Sequence, residues 1–235
     1  VGNSALAANC GDNNVAVGKD ALTVFTGSDA VAVGKSALDA ATSMAGLTAV
    51  GKDALGANTD GAYNTAVGTL AGAAITTGDY NTVVGSYALD GSTVDANKNT
   101  AVGYLSLSAA CNDENAAIGY EALKVFTGDY TTAVGSSSAA ALTDGQRITA
   151  IGRGALKIAV SQDDCTAVGF NALDAATSGD QNTAVGSYAL SATVDGARNT
   201  ALGYGAANAD CADDNTALGW SALNNCTNSD NVAVG

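Results

Sequence analysis

Apolar positions recur along the chain in one short pattern. Thr-Ala-Val-Gly is followed by two variable residues and then by Ala-Leu, as in Asn182-Thr183-Ala184-Val185-Gly186-Ser187-Tyr188-Ala189-Leu190. The Gly that closes each copy falls at 2, 18, 34, 51, 68, 85, 103, 119, 135, 152, 169, 186, 203, 219 and 235, at intervals of 16 to 18 residues. Numbering from that Gly, position −4 is Asn in 9 of 14 complete copies, −3 is Thr in ten, and −2 is Ala in all but Val83. Position −1 is always Val, Ile or Leu, +3 is Ala in 12 of 14 copies, and +4 is Leu in 11. The residues between +5 and the next Asn vary in number and are rich in Asp, Asn, Gly, Ser and Thr. Insertions confined to one polar segment are how loops on a regular scaffold behave.

A period of this length is too short for a helix pair or a strand-plus-helix unit. Thr-Ala-Val is short, β-prone and bounded by turn residues, so it predicts a strand at −4 to −1. Gly18, Gly34, Gly51, Gly68, Gly85, Gly103, Gly119, Gly135, Gly152, Gly169, Gly186, Gly203 and Gly219 are the expected bends, where stacked backbones approach closely. Ala-Leu supplies a second apolar segment. In Ala37 to Ala41 and its equivalents it permits at most one helical turn, because so short a helix is marginal. The prediction is an all-β chain: one continuous parallel β-solenoid over 1–235, about 14 coils of 16–18 residues, each coil burying its apolar side against its neighbours.

Strand alternation puts Thr and Val on one face and Ala on the other. With Ala lining a thin interior, the Thr/Val column becomes an outward stripe suited to association. With Val inward, that stripe disappears. Both phasings fit the residues.

A longer period is superposed. Val1–Gly18, Val102–Gly119 and Leu202–Gly219 align, with Cys10, Cys111 and Cys211 in register. Val24-Phe25-Thr26-Gly27 recurs as Val125-Phe126-Thr127-Gly128, and Thr93-Val94-Asp95 as Thr193-Val194-Asp195. The unit is six coils, giving blocks 1–101, 102–201 and a partial 202–235. Copying such a block lengthens a spacer and does nothing for a catalytic centre. Because both ends lie inside the motif, the chain is expected to be a piece of a longer repetitive protein.

Composition sharpens this reading. The chain has 29 Gly and no Pro, and aromatics are 5% of residues. Absence of Pro suits an unbroken backbone ladder, since proline has no N–H to donate. A net charge of −14 disfavours nucleic-acid backbones and anionic membrane surfaces. No apolar run of 18 residues exists, so no membrane-inserted helix is expected in this segment.

The motif Asn-(Thr/Val)-Ala-Val-Gly-x-x-Ala-Leu resembles the repeat of trimeric autotransporter adhesin heads of the Yersinia type. Ser28 to Gly34 and Asp230 to Gly235 are the nearest matches. The longer form at 76–89 looks like repeats of phage tail-fibre shafts. The resemblance implies a left-handed β-roll, three chains packed side by side as a homotrimer, and a place on a cell or virion surface, outside the cell. The longer repeat here implies larger return loops.

Candidate chemistry is sparse. There is no His, which excludes His-based nucleophilic triads and His-containing zinc sites. It also argues against the left-handed β-helix acyltransferases, which use three hexapeptides per turn and a His. Gly34-Lys35-Ser36 is not a phosphate loop, since Asp29 stands where the first Gly is needed. Acidic residues recur before the motif, and Asp113, Asp163 and Asp213 are the candidates for Ca²⁺, against the simpler reading of a solvated loop edge. Cys211 and Cys226 lie in adjacent coils at nearly the same offset, which predicts a disulfide. Aromatics fall in columns at −5, +1 and +2, suited either to stacking from coil to coil or to contact with sugars. The Asn column reads as a ladder or turn former.

The sequence therefore predicts a non-enzymatic extracellular fibre segment, with no cofactor and no catalytic residues. It would self-associate as a homotrimer or fibre and mediate attachment to a surface glycan or receptor. The alternative is a glycan- or ice-binding solenoid module.

Overall fold

The computed structural model describes residues 1–91 and 95–235. Those residues are all-β, with no helix, and form a parallel β-solenoid of about 13–14 turns. They gather into two compact units, Val1–Ala117 and Ile118–Gly235. The first carries β1 (Val15–Val17), β2 (Val31–Val33), β3 (Thr48–Val50), β4 (Thr65–Val67), β5 (Thr82–Val84), β6 (Thr100–Val102) and β7 (Ala116–Ile118), adjacent in chain order. The second carries β8 (Thr132–Val134), β9 (Asp144–Gln146), β10 (Thr149–Ile151), β11 (Ser161–Asp163), β12 (Thr166–Val168), β13 (Thr183–Val185), β14 (Thr200–Leu202), β15 (Thr216–Leu218) and β16 (Val232–Val234). Its main sheet runs β8-β10-β12-β13-β14-β15-β16, and β9 pairs with β11 in a small second sheet. Of the recurring Thr93-Val94-Asp95 segment, Thr93 and Val94 lie outside the described residues.

Each strand is three residues long, and its partners stack in strict register. Thr183 lies over Thr200, Ala184 over Ala201 and Val185 over Leu202. The ladder continues past the strand ends. The N–H of Thr183 donates to Asn199 O on one side, and that of Gly186 donates to Val168 O on the other, both at 2.8 Å. An open choice in the sequence is settled here. Ala49, Ala150 and Ala184 are fully buried, while Thr and Val of the same strands face out. A coil this thin accepts a methyl group on its inner wall, and the β-branched side chains go to the outer face.

The bend depends on Gly for two separate reasons. Gly186 has φ of +136°, outside the range of L-residues. A Cβ there would also sit 2.6 Å from the carbonyl carbon of Gly203 in the next coil. All 13 bend glycines from Gly18 to Gly219 share this backbone, with φ between +128° and +143°.

Beyond the bend the described residues make no helical turn. Leu38 has φ of +51° and Leu190 also +51°, and the +2 and −5 positions are left-handed too, as at Tyr188 (+61°) and Gln181 (+59°). Such residues cost about 1–3 kcal/mol each. At +4 the Leu side chain is fully buried in all but the first and last copies, a gain of about 1.5–3 kcal/mol. Its N–H also donates to the next coil, as Leu190 does to Ala206 O at 3.0 Å. Burial and the cross-coil hydrogen bond offset the strain, so the good helix formers Ala and Leu do not make a helix.

A third buried column, at +7, completes the core. It holds Phe25, Ala41, Ile75, Phe126, Leu142, Ala159, Ala176, Thr193 and Cys226. It explains the recurrent Phe-Thr-Gly: a Cβ on Gly27 would stand 2.8 Å from the Phe25 ring, and one on Gly128 2.8 Å from the Phe126 ring.

Candidate functional site

The Asn column forms a buried ladder. Asn182 and Asn199 are fully buried, and Asn182 Oδ1 accepts the N–H of Asn199 at 2.9 Å. Asn182 Nδ2 donates to Gly179 O in its own coil and to Gly196 O in the next, at 2.9 and 2.7 Å. Asn64, Asn81 and Asn99 repeat this in the first unit. Each side chain thus satisfies backbone groups that the loop entry would otherwise leave unpaired. Where Asn is absent, Ala30, Leu47, Ile148 and Cys165 are buried in its place, as is Thr131, whose hydroxyl donates to Asp129 O at 3.2 Å. The Cys165 thiol keeps one contact of the ladder, to Gly179 O at 3.4 Å, and burial pushes its pKa up to about 11. It is therefore a protonated, unreactive thiol at neutral pH. Strands β9 and β11 form in the coils that carry Ile148 and Cys165 at this position.

The acidic residues expected at a calcium site have a structural task. Asp113 Oδ1 accepts the Asn97 N–H at 2.8 Å and its Nδ2 at 3.1 Å. Asp163 Oδ1 accepts the Gln146 N–H at 2.9 Å, and Asp213 Oδ1 the Ala197 N–H at 3.0 Å. This −6 ladder runs in the sense opposite to the Asn ladder, each side chain reaching to the preceding coil. Asp113, Asp163 and Asp213 lie in different coils. Among the described residues no group of three or more His, Cys, Asp or Glu is placed to hold a metal ion.

The −5 column joins neighbouring coils by charge or by ring. Lys98 meets Glu114 at 2.8 Å, Arg147 meets Asp164 at 2.6 Å and Arg198 meets Asp214 at 2.6 Å. The guanidiniums hold the Asp164 and Asp214 carboxyls below their usual range. Tyr63 and Tyr80 stack at 5.1 Å with planes 7° apart. On the other edge a ring column runs Phe170, Tyr188, Tyr204, Trp220, with centroids 5.2, 5.9 and 6.5 Å apart. Trp220 is 74% exposed, so stacking between coils does not bury this column.

Cys211 and Cys226 are bonded to each other, with Cα atoms 4.8 Å apart, inside the usual disulfide span. Cys226 occupies the +7 position that Phe25 and Phe126 hold in the earlier blocks, and the Gly that follows Phe there becomes Asn228. Cys10 and Cys165 are free thiols.

The most extensive repeated surface is the outer face of the main sheets. Thr at −3 and Val, Ile or Leu at −1 form two straight rows within each unit. Val67, Ile151, Leu202 and Leu218 are 37–47% exposed although they belong to the central strands. No family model matches the chain, and no curated protein or solved structure matches it either.

Proposed function

We propose that the chain is a non-enzymatic structural segment of an extracellular fibre, which self-associates through the Thr/Val face of its sheets, as a homotrimer. The observation that carries this reading is the outward alignment of Val185, Leu202 and Leu218, paired across β13, β14 and β15, with Leu202 47% and Leu218 42% exposed. Single exposed apolar residues are ordinary on a protein surface, but a contiguous stripe is the mark of an interface. The same face recurs in every coil, so its capacity grows with length, as that of a spacer should. The adhesin-like and tail-fibre-like repeat pattern agrees with this, as does the Cys211–Cys226 bond, which favours an oxidising compartment.

A photo-reactive benzoyl-phenylalanine placed at Thr183 tests the reading. Covalent dimers and trimers are expected from that position, and monomers alone from the same label at Asp79, on the return-loop side. Absence of cross-links from position 183, or equal yields from both positions, would count against it.

A further inference from the structure

Nine Lys and Arg face 23 Asp and Glu in this chain, so a cation without a carboxylate partner is unusual. Among the described residues Lys19, Lys52, Lys98, Lys124, Arg147 and Arg198 are held in ion pairs, whereas Lys35, Arg153 and Lys157 are not. Two of those three line one pocket in the second unit. It is a cleft of about 80 Å³ formed by Ser136, Ser137, Arg153, Gly154, Lys157 and Asn171, with no acidic residue in its wall. The remaining side chains are two hydroxyls and the Asn171 amide, whose Oδ1 stands against Gly154.

The pocket exists because the +2 column lacks a side chain at one place. Ser137 and Asn171 occupy +2 in the flanking coils, and Gly154 stands between them with the left-handed φ of +69° that the column requires. The guanidinium of Arg153 is not loose. It lies over the Phe170 ring, 5.5 Å from the centroid, which fixes its position while leaving its donors unused by carboxylates. Lys157 feels the negative charge of Asp174, one coil on at the same position, but makes no ion pair with it within bonding range among the described residues.

At about 80 Å³ the cleft has room for a group the size of a carboxylate or sulfate. Next to it, sharing Ser137 and Lys157, lies an open groove of about 390 Å³ walled by Val125, Ala140, Ala141 and Ile158 and by the ion-paired Glu121 and Lys124. Val125 and Ile158 are 38% and 46% exposed. A two-cation cleft beside a shallow apolar shelf matches a ligand with an anionic substituent on a ring that has one apolar face.

We infer that the cleft formed by Arg153, Lys157, Ser136, Ser137 and Asn171 around Gly154 binds the sulfate or carboxylate of an acidic sugar, with the sugar ring on the Val125–Ile158 shelf. The site belongs to one chain and uses none of the −3 and −1 residues, so it stands whether or not the fibre reading holds. Guanidinium and ammonium donors recognise oxyanions strongly, and Arg does so with defined geometry.

The test is titration calorimetry of the whole chain with glucose 6-sulfate, glucuronic acid, glucose and inorganic sulfate. Binding of at least one acidic sugar that weakens with added salt is expected, with no binding of glucose and at least tenfold weaker binding of inorganic sulfate. Arg153→Gln is expected to weaken the sugar at least tenfold. So is Gly154→Asp, which pushes the Asn171 side chain aside and puts a carboxylate in the cleft, on a backbone that already carries Asp at +2, as Asp20 and Asp53 show. Lys35→Gln removes the third unpaired cation, away from the cleft, and should leave binding unchanged. No heat with either acidic sugar at millimolar concentration overturns the inference. So does equal binding of inorganic sulfate or of glucose, or equal affinity in folded Arg153→Gln and Gly154→Asp variants.

Discussion

Asn182 Oδ1 accepts the backbone N–H of Asn199 at 2.9 Å, and the two residues occupy the same place in successive coils. One side chain therefore spans the step between coils while its amide closes both neighbouring loops. Replacing Asn182 with Ala orphans the buried Asn199 N–H together with the Gly196 carbonyl. An unsatisfied buried group costs about 1–3 kcal/mol, so a loss of about 2–6 kcal/mol is expected for the two. Hydrogen exchange reads it directly: the Asn199 amide should lose protection, while amides of the first unit stay protected.

The two kinds of glycine should respond oppositely to a side chain. Gly186→Ala forces a Cβ against the Gly203 carbonyl carbon at 2.6 Å and is expected to cost more than about 3 kcal/mol. Gly205 also has positive φ, +60°, but a Cβ there meets only Ser221 Oγ at 3.5 Å. Since Asn tolerates this conformation, Gly205→Asn should lie within about 1 kcal/mol of the parent. Urea denaturation of the two variants separates them.

The Cys211–Cys226 bond closes a loop with a sequence separation of 15 residues. A loop of that size corresponds to about 3 kcal/mol of chain entropy. Because solenoid coils contact mainly their neighbours, the effect should be local. Cys226→Ser, or reduction, should deprotect the amides of Val232–Val234 and leave β1 to β5 unchanged. Uniform loss of protection across the chain would contradict this.

Asp174 gives a pH dependence of defined sign. Burial raises its carboxyl pKa above 3.8, against a smaller opposing effect of Lys157, and its Oδ1 accepts no hydrogen bond. A raised folded-state value means that the folded protein takes up the proton first. The charged form is penalised above the folded pKa, and the penalty fades as pH falls from there towards 3.8. Asp174→Asn should therefore be more stable than the parent at pH 7, with the difference shrinking as pH is lowered through that window. Equilibrium denaturation at several pH values checks it. A difference that grows on acidification would be the wrong sign.

Much of this architecture was legible because the period is short and several columns are nearly invariant. The strand, the bend and the Ala-Leu wall follow from −3, −2, 0, +3 and +4. The phasing of the strand did not, because Ala184 and Val185 are both apolar and a three-residue strand gives alternation little to decide with. The +7 wall was hidden by its own chemistry: Phe25, Ala41, Thr193 and Cys226 share a place in the fold but no property a pattern would reveal. Alignment to the Asn column would have assigned Cys165 at once, as a substitute for Asn at −4. The left-handed backbone at Leu38 and Leu190 runs against local propensity and is imposed by neighbouring coils. The cleft at Gly154 depends on a missing side chain, which only the stacked columns expose.

The central claim is that the outward Thr/Val face is an interface between copies of this chain. Sedimentation equilibrium of the parent and of a Val185→Lys, Leu202→Lys double variant tests it most directly, with circular dichroism to confirm the fold. A parent mass near three times 22.8 kDa is expected, with a folded variant that falls to 22.8 kDa. A parent of 22.8 kDa, or a folded variant that keeps the parent's mass, would contradict it.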